Sequence, residues 1–448
     1  MNDGNGAHYL SPASKPGRAG VLVSLLLFAG AAGAWDADLD PTYHSGGRAW
    51  AGFVGPAGQD SAVAVAVQTD GKVVMAGSRF NGSDLDFGVI RLGLDGYPDN
   101  TFGQSGTAYF DFDSATDTAR DMVIQPDGKI VVVGNARVGG VNRMGVARFH
   151  PDGSLDDSTT VPFSGSTYGF GVALQPDGKI VICGRTYYAS SLYDFAVARL
   201  NSNLTMDTTF SSDGMADWDF GDNDNDSAND IEVRSDGRIV VAGSAMWNGQ
   251  NVFGLMVFSA TGGPLNLGVA SFSEDAYGFG LDLQKDGKAV VSGRCEVNGG
   301  DFAVARFNTN GTLDTTFSTD GMDTVIVSGN EESAMDVVVQ HNGKILTVGY
   351  MNYNGTWQLA LMRWKADGAL DFTFNDGYIY TYIHFFYGYD ARGYAIAQQP
   401  DGKILAAGYT DYESGRLMAV ARIMGDEDLI FAEDLESGTT DWWSSSLN

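Results

Sequence analysis

The sequence predicts an all-β protein, a seven-bladed β-propeller with four antiparallel strands per blade. Three observations carry this. An Asp-Gly-Lys-type turn recurs seven times, with its glycines 50 to 59 residues apart between Gly71 and Gly402. Short apolar runs flank each turn, as Ala62–Val67 and Val73–Gly77 flank Asp70-Gly71-Lys72. The half-repeat missing at the C-terminal end stands at the N-terminal end. Periods of this length mark propellers, solenoids or arrays. The 60 glycines among 448 residues are near twice the usual ~7% and suit a turn-rich chain.

The first two strands of each unit form a hairpin. The turns are Asp70-Gly71, Asp127-Gly128, Asp177-Gly178, Asp236-Gly237, Asp286-Gly287, Asn342-Gly343 and Asp401-Gly402. Asp-Gly between β-branched runs is a strong hairpin signal. Three copies read Gln-Pro-Asp-Gly-Lys, from Gln125, Gln175 and Gln399. Pro suits the first turn position and Gly the left-handed one, so a type I turn closed by a bulge is expected.

A third strand follows, as in Asp86-Phe-Gly-Val-Ile-Arg91, Asp194-Phe-Ala-Val-Ala-Arg199 and Asp301-Phe-Ala-Val-Ala-Arg306. A second turn and a Leu-Asp-x-x-Phe segment come next, as in Leu313-Asp-Thr-Thr-Phe317 and Leu370-Asp-Phe-Thr-Phe374. Thr107–Phe112 exemplifies the fourth strand. Four strands and their turns fill the period, leaving no room for a helix.

The last unit ends on Met418-Ala-Val-Ala-Arg422 with no fourth strand after it. Leu39-Asp-Pro-Thr-Tyr43 followed by Gly46–Phe53 matches Leu204–Phe210 followed by Gly214–Phe220. The N-terminal strand therefore completes the last sheet and closes the ring, removing an edge that would otherwise invite aggregation.

Together the segments Asp-Phe-Ala-Val-Ala-Arg, Leu-Asp-Thr-Thr-Phe and Gln-Pro-Asp-Gly-Lys-Ile-Val resemble the delta-60 repeat family over residues 39–424. That resemblance implies a bacterial, often secreted β-propeller with no assigned activity and no catalytic residues to transfer. Repeat four departs from the pattern at Ala260–Leu265, and repeat two is shortened at Asp156–Phe163.

Outside the propeller, residues 1–34 read as a secretory signal. Lys15 and Arg18 precede the apolar stretch Val21 to Ala34, which ends in Ala32-Gly33-Ala34, an A-x-A cleavage site. Cleavage after Ala34 would send the chain to the periplasm, the cell surface or the medium. The apolar stretch is short for a membrane span, which needs ~20 residues. Residues 425–448 form an acidic-aromatic tail, either a free end or a segment packing through Trp442 and Trp443.

A formal charge of −29 disfavours nucleic acid and anionic membranes as partners. Cys183 and Cys295 fall in repeats three and five, so two unpaired thiols are expected, Cys183 buried. No His pair has zinc spacing, no G-x-S-x-G occurs, and every Gly-Lys is followed by Val, Ile or Ala. Metal hydrolysis, serine hydrolysis by a nucleophile elbow and P-loop nucleotide chemistry are disfavoured as local motifs, which leaves room for a site assembled from distant blades. No cofactor is implied and no catalytic residue is assigned.

Most carboxylates recur with the repeat and are turn formers. A catalytic acid should break the pattern, as Asp117, Glu232, Glu274, Glu296, Glu331 and Glu332 do. Asp222, Asp224 and Asp226 have the oxygen spacing that opens a calcium loop, although Ser227 replaces the expected Gly and Val233 the closing Glu. Blade-connecting acidic loop and weak calcium site both remain open there. Arg91, Arg148, Arg199, Arg306, Arg363 and Arg422 recur at the end of the third strand and are expected to pair with repeat aspartates, the alternative being a symmetric ring of cations that binds an anion at the axis. The run Tyr378–Tyr389 is expected to bury its aromatics from an outer strand or to form a binding face. The reading of the whole is a secreted, monomeric, non-catalytic propeller presenting loops to an extracellular protein or glycan. The alternative is a polysaccharide hydrolase or lyase using carboxylates near the axis, for which two carboxylates ~5–10 Å apart suffice.

Overall fold

The structure is a computed structural model. It describes residues 39–53, 59–188, 192–221, 224–327, 330–374, 380–413 and 415–425. The expected signal at 1–34, nearly all of the expected tail, and Asp222 lie outside these residues.

Seven four-stranded antiparallel sheets are present. Blades 1 to 6 span residues 61–110, 118–160, 167–218, 227–270, 276–325 and 332–383. In each, the strands follow in chain order from the innermost outward. Blade 7 takes three strands from 391–423, and Arg48–Ala51 supplies the outermost. That strand pairs with Gly415–Ile423 in the register Arg48↔Ala421, Ala49↔Val420, Trp50↔Ala419 and Ala51↔Met418. The expected closure is observed.

The core lies between blades. Seven apolar clusters occupy the seven interfaces, including the closing one, where Tyr43, Ala49 and Val420 meet Ala62, Met75 and Ile90. Each sheet is covered on both faces, so middle strands read as continuous apolar runs rather than alternating ones. Val73–Phe80 begins with six consecutive buried residues.

The hairpin turn is as expected. Gly71 sits at φ +83°, its N–H donates to the Gln68 carbonyl, and Gln68 N–H donates to the Lys72 carbonyl. The Asp70 carboxylate accepts the Lys72 N–H at 3.2 Å. No helix of the described residues is long and apolar enough to cross a membrane.

Strand direction separates two faces of the ring. One carries the Asp-Gly-Lys turns and the turns after the third strands. The other, the variable face, carries the loops between second and third strands and the crossings to the next blade.

Candidate functional site

On the turn face, the repeat motifs form one network. Arg91 donates to Asp99 at 2.9 Å, and Lys72 reaches the same carboxylate at 3.1 Å. The group recurs as Arg148, Lys129 and Asp156; Arg199, Lys179 and Asp207; Arg306, Lys288 and Asp314; and Arg363, Lys344 and Asp371. In the closing blade, Asp40 from the N-terminal segment receives Arg422 and Lys403. Burial alone would raise the Asp99 carboxyl. Hydrogen bonds from Thr101 and Lys72 and the Arg91 charge hold it well below the usual range.

The same arginines bridge blades. Arg91 donates to the Pro151 carbonyl at 2.5 Å, Arg306 to that of Ala366 at 2.5 Å, and Arg422 to that of Leu94 at 3.2 Å across the closure. Arg148 and Arg199 likewise reach Ser202 and Ala260. Blade 4 lacks this arginine, and Arg234, from the end of its inner strand, takes the equivalent carbonyl of Thr309 at 2.9 Å. The expected structural role of the recurring arginines is confirmed, and this face is committed to holding the ring.

The axial channel differs. A cavity of about 360 Å3 is lined by the inner strands of all seven blades and contains Asp121, Asp230, Glu232, Asp282 and Asp336. An inner strand is a sheet edge, so its axis-facing N–H groups need acceptors. The aspartates supply them. Asp121 accepts from Val172 N–H of the next blade at 2.7 Å, Asp230 from Leu281 at 2.7 Å, Asp282 from Val339 at 2.6 Å and Asp336 from Ile396 at 2.8 Å. Asp121, Asp230 and Asp336 occupy one register position in alternate blades, where blades 1, 3, 5 and 7 have Ala64, Gly171, Gly280 and Ala395. A Cβ on Gly280 would stand 2.7 Å from Asp336 Cα, so close approach restricts that site to glycine.

Burial pushes the channel acids upward: Asp121 and Asp336 to about 7, and Asp282 to about 6. Asp230 rises well above the usual range, through burial and then the charges of Asp121, Asp336 and Glu232. Glu232 reaches about 8, again through burial first and then Asp282 and Asp121. Its hydrogen bond comes from its own neighbour, Val233 N–H. No cross-blade clamp holds it among the described residues.

Of the pattern-breaking acids, Glu232 alone lies in the channel. Asp117 accepts from Phe112 and Arg137 N–H groups, and Glu332 from Val327, so both brace inner-strand entrances. Glu296 and Glu331 pair with Arg294. Glu274 contributes its backbone carbonyl to Gln250. Sequence reasoning missed Asp121, Asp230, Asp282 and Asp336. A signal existed, since Asp121, Asp230 and Asp336 each stand six residues before the turn residues Asp127, Asp236 and Asn342.

Asp226 accepts from Phe220 and Met246 N–H, both at 2.9 Å, and its carboxyl is raised to about 6 by burial. That brace repeats Asp60 and Asp117. Asp224 accepts from Asn225 N–H at 2.8 Å. Among the described residues, no group of three or more His, Cys, Asp or Glu side chains is arranged to hold a metal.

At the variable-face mouth stand arginines and aromatic rings. Arg185 lies 4.3 Å from the Tyr193 ring and 5.0 Å from that of Tyr168. Arg392 lies 3.9 Å over Trp357. In the aromatic run, Tyr380–Ile383 is the outer strand of blade 6. The loop after it packs Phe386 against Trp50 of the closing strand and against Tyr412, at 4.8 and 4.4 Å. Tyr387 is 95% exposed, so the run both buries and displays aromatics. Tyr378 lies outside the described residues.

The "Domain of unknown function (DUF5122) beta-propeller" family matches residues 68–102, 125–158, 175–210, 234–262, 284–317, 340–374 and 399–426. The chain belongs to this family. Each matched segment starts at or near a hairpin turn and runs through the third strand toward the outer one, tracing the turn-face network blade by blade. No curated protein matches the sequence. Among solved structures, the chain is similar to a PL25 polysaccharide lyase, an ulvan lyase bound to -[GlcA(1-4)Rha3S]-, at 12% identity and TM-score 0.47, covering 84% of this chain and 96% of that one. Polysaccharide lyase Uly1 matches at 11% identity and TM-score 0.48, with 85% and 92% covered. Sqt1 from Chaetomium thermophilum matches at 11% identity and TM-score 0.47, with 88% and 100% covered.

Proposed function

We propose that this is a secreted, monomeric, non-catalytic propeller of the delta-60 repeat kind that binds an extracellular glycan or protein with its variable face. One observation carries the reading. The turn face is consumed by the recurring Arg–Lys–Asp network, whereas non-repeating aromatics and arginines gather at the opposite mouth. Conserved architecture and variable loops on one scaffold are how propellers present binding sites. The signal at 1–34 supports export. The net charge of −29 argues against nucleic acid as ligand.

A second reading, acid–base chemistry on a polysaccharide, is favoured by Glu232. Its carboxyl holds a proton near neutral pH beside Asp282, as a general acid requires. A glycan array combined with a hydrolysis and elimination screen separates the two. Binding without turnover supports the first reading. Turnover lost in Glu232→Gln supports the second.

A further inference from the structure

Arg120 and Arg185 come from neighbouring blades and converge on one ring. Arg120 is the extra residue where the pairing of Thr118–Ile124 with Ile130–Val138 slips between Ala119 and Asp121. Phe170 is the equivalent bulge residue of blade 3. The guanidinium carbons of Arg120 and Arg185 lie 5.9 and 5.7 Å from the Phe170 centroid. Arg185 stands opposite Tyr168 on the paired strand, and its Nε is buried with no hydrogen-bond partner.

Neither arginine has a carboxylate partner among the described residues. In a chain carrying 56 acidic and 27 basic residues, Arg79, Arg294 and Arg416 on the same face pair with Asp or Glu, whereas Arg392, like Arg185, has a buried Nε with no hydrogen-bond partner among the described residues. Arg120 is solvent-accessible at the mouth, yet desolvation by the surrounding protein and then the Arg185 charge disfavour its charged form, while Tyr394 favours it. No channel carboxylate is among the charges acting on Arg120. Two like charges facing one ring without carboxylate counterions cost free energy that a bound oxyanion would recover. Tyr168, Phe170 and Tyr193 offer apolar ring faces beside them, as sugar rings require.

We infer that Arg120 and Arg185 form a two-guanidinium site for the carboxylate or sulfate of an anionic saccharide, seated against Phe170 and Tyr168 at the variable-face mouth. This rests on the binding reading above and names its ligand class. Both guanidiniums present donor pairs that match a planar carboxylate or a sulfate edge, and the aromatic rings take the sugar face. An acidic peptide would supply the oxyanion without the ring.

The test is calorimetric titration of the full mature chain at low salt with four probes: a galacturonate hexamer, a chondroitin sulfate hexamer, neutral cellohexaose and polyglutamate. Binding of either anionic saccharide is expected, weakening as sodium chloride rises. Arg120→Gln and Arg185→Gln should each weaken it at least about tenfold, with Arg185→Lys falling between. Thermal melts verify folding, and Arg120→Gln, whose side chain is exposed, carries the test if Arg185→Gln does not fold. Tight binding to polyglutamate alone would overturn the inference, as would unchanged affinity in Arg120→Gln. Binding of cellohexaose alone would overturn it while leaving the glycan-binding reading standing. Failure of every probe would overturn the inference and count against the reading beneath it.

Discussion

Glu232→Gln tests the electrostatics of the axial channel. In the unfolded chain this carboxyl loses its proton near 4.5, whereas in the ring burial and the neighbouring acids hold it to about 8. Between those values the folded state keeps a proton that the unfolded state has released. Stability therefore falls as pH rises through this window. The penalty is absent below pH 4.5 and complete above pH 8. The difference, 8 − 4.5, at ~1.4 kcal/mol per pH unit gives ~5 kcal/mol for a fully buried group. The side chain is only partly buried, and solvent screening reduces the figure to about 1–2 kcal/mol. Gln keeps an oxygen for the Val233 N–H and removes the charge. Denaturant unfolding at pH 9 should show Glu232→Gln more stable by about 1–2 kcal/mol, with no gain at pH 4. Equal shifts at both pH values, or a loss at pH 9, would refute the reasoning.

Three further outcomes follow from the fold. Deleting residues 35–56 removes the closing strand and bares the edge of Gly415–Ile423, so light scattering should report aggregation; an unchanged monomer with unchanged melting would contradict closure. Arg234→Met removes the blade 4 to blade 5 bridge to Thr309 and should cost about 1–2 kcal/mol by chemical denaturation; no loss would show that the bridge is idle. Cys183 and Cys295 are free and buried, with burial raising both thiols. A thiol reagent should find no fast-reacting group in the native chain and two after unfolding without reductant.

What could be read from residue order was whatever the repeat states locally. Gln125-Pro126-Asp127-Gly128-Lys129 specifies its turn from four positions, and the likeness of Gly46–Phe53 to Gly214–Phe220 places the closing strand. Arg91 pairs with Asp99 eight residues on, within reach of one hairpin. The rest depends on which blade meets which. Asp121 gains its role from the N–H of Val172, in another sheet, and its burial among like charges exists only once seven inner strands surround an axis. Repeat four showed its missing arginine in sequence, but the compensation by Arg234 needs a carbonyl of the next blade. Arg120 and Arg185 both approach Phe170 because a bulge turns Arg120 out of the alternating pattern, and no single repeat contains both.

The structure of the chain bound to a galacturonate hexamer tests the functional account most directly. The account predicts a uronate carboxylate between the guanidiniums of Arg120 and Arg185, with a sugar ring against Phe170 or Tyr168. Saccharide seated on the face of the Asp-Gly-Lys turns, or in the channel on Glu232 with the two arginines untouched, would contradict it.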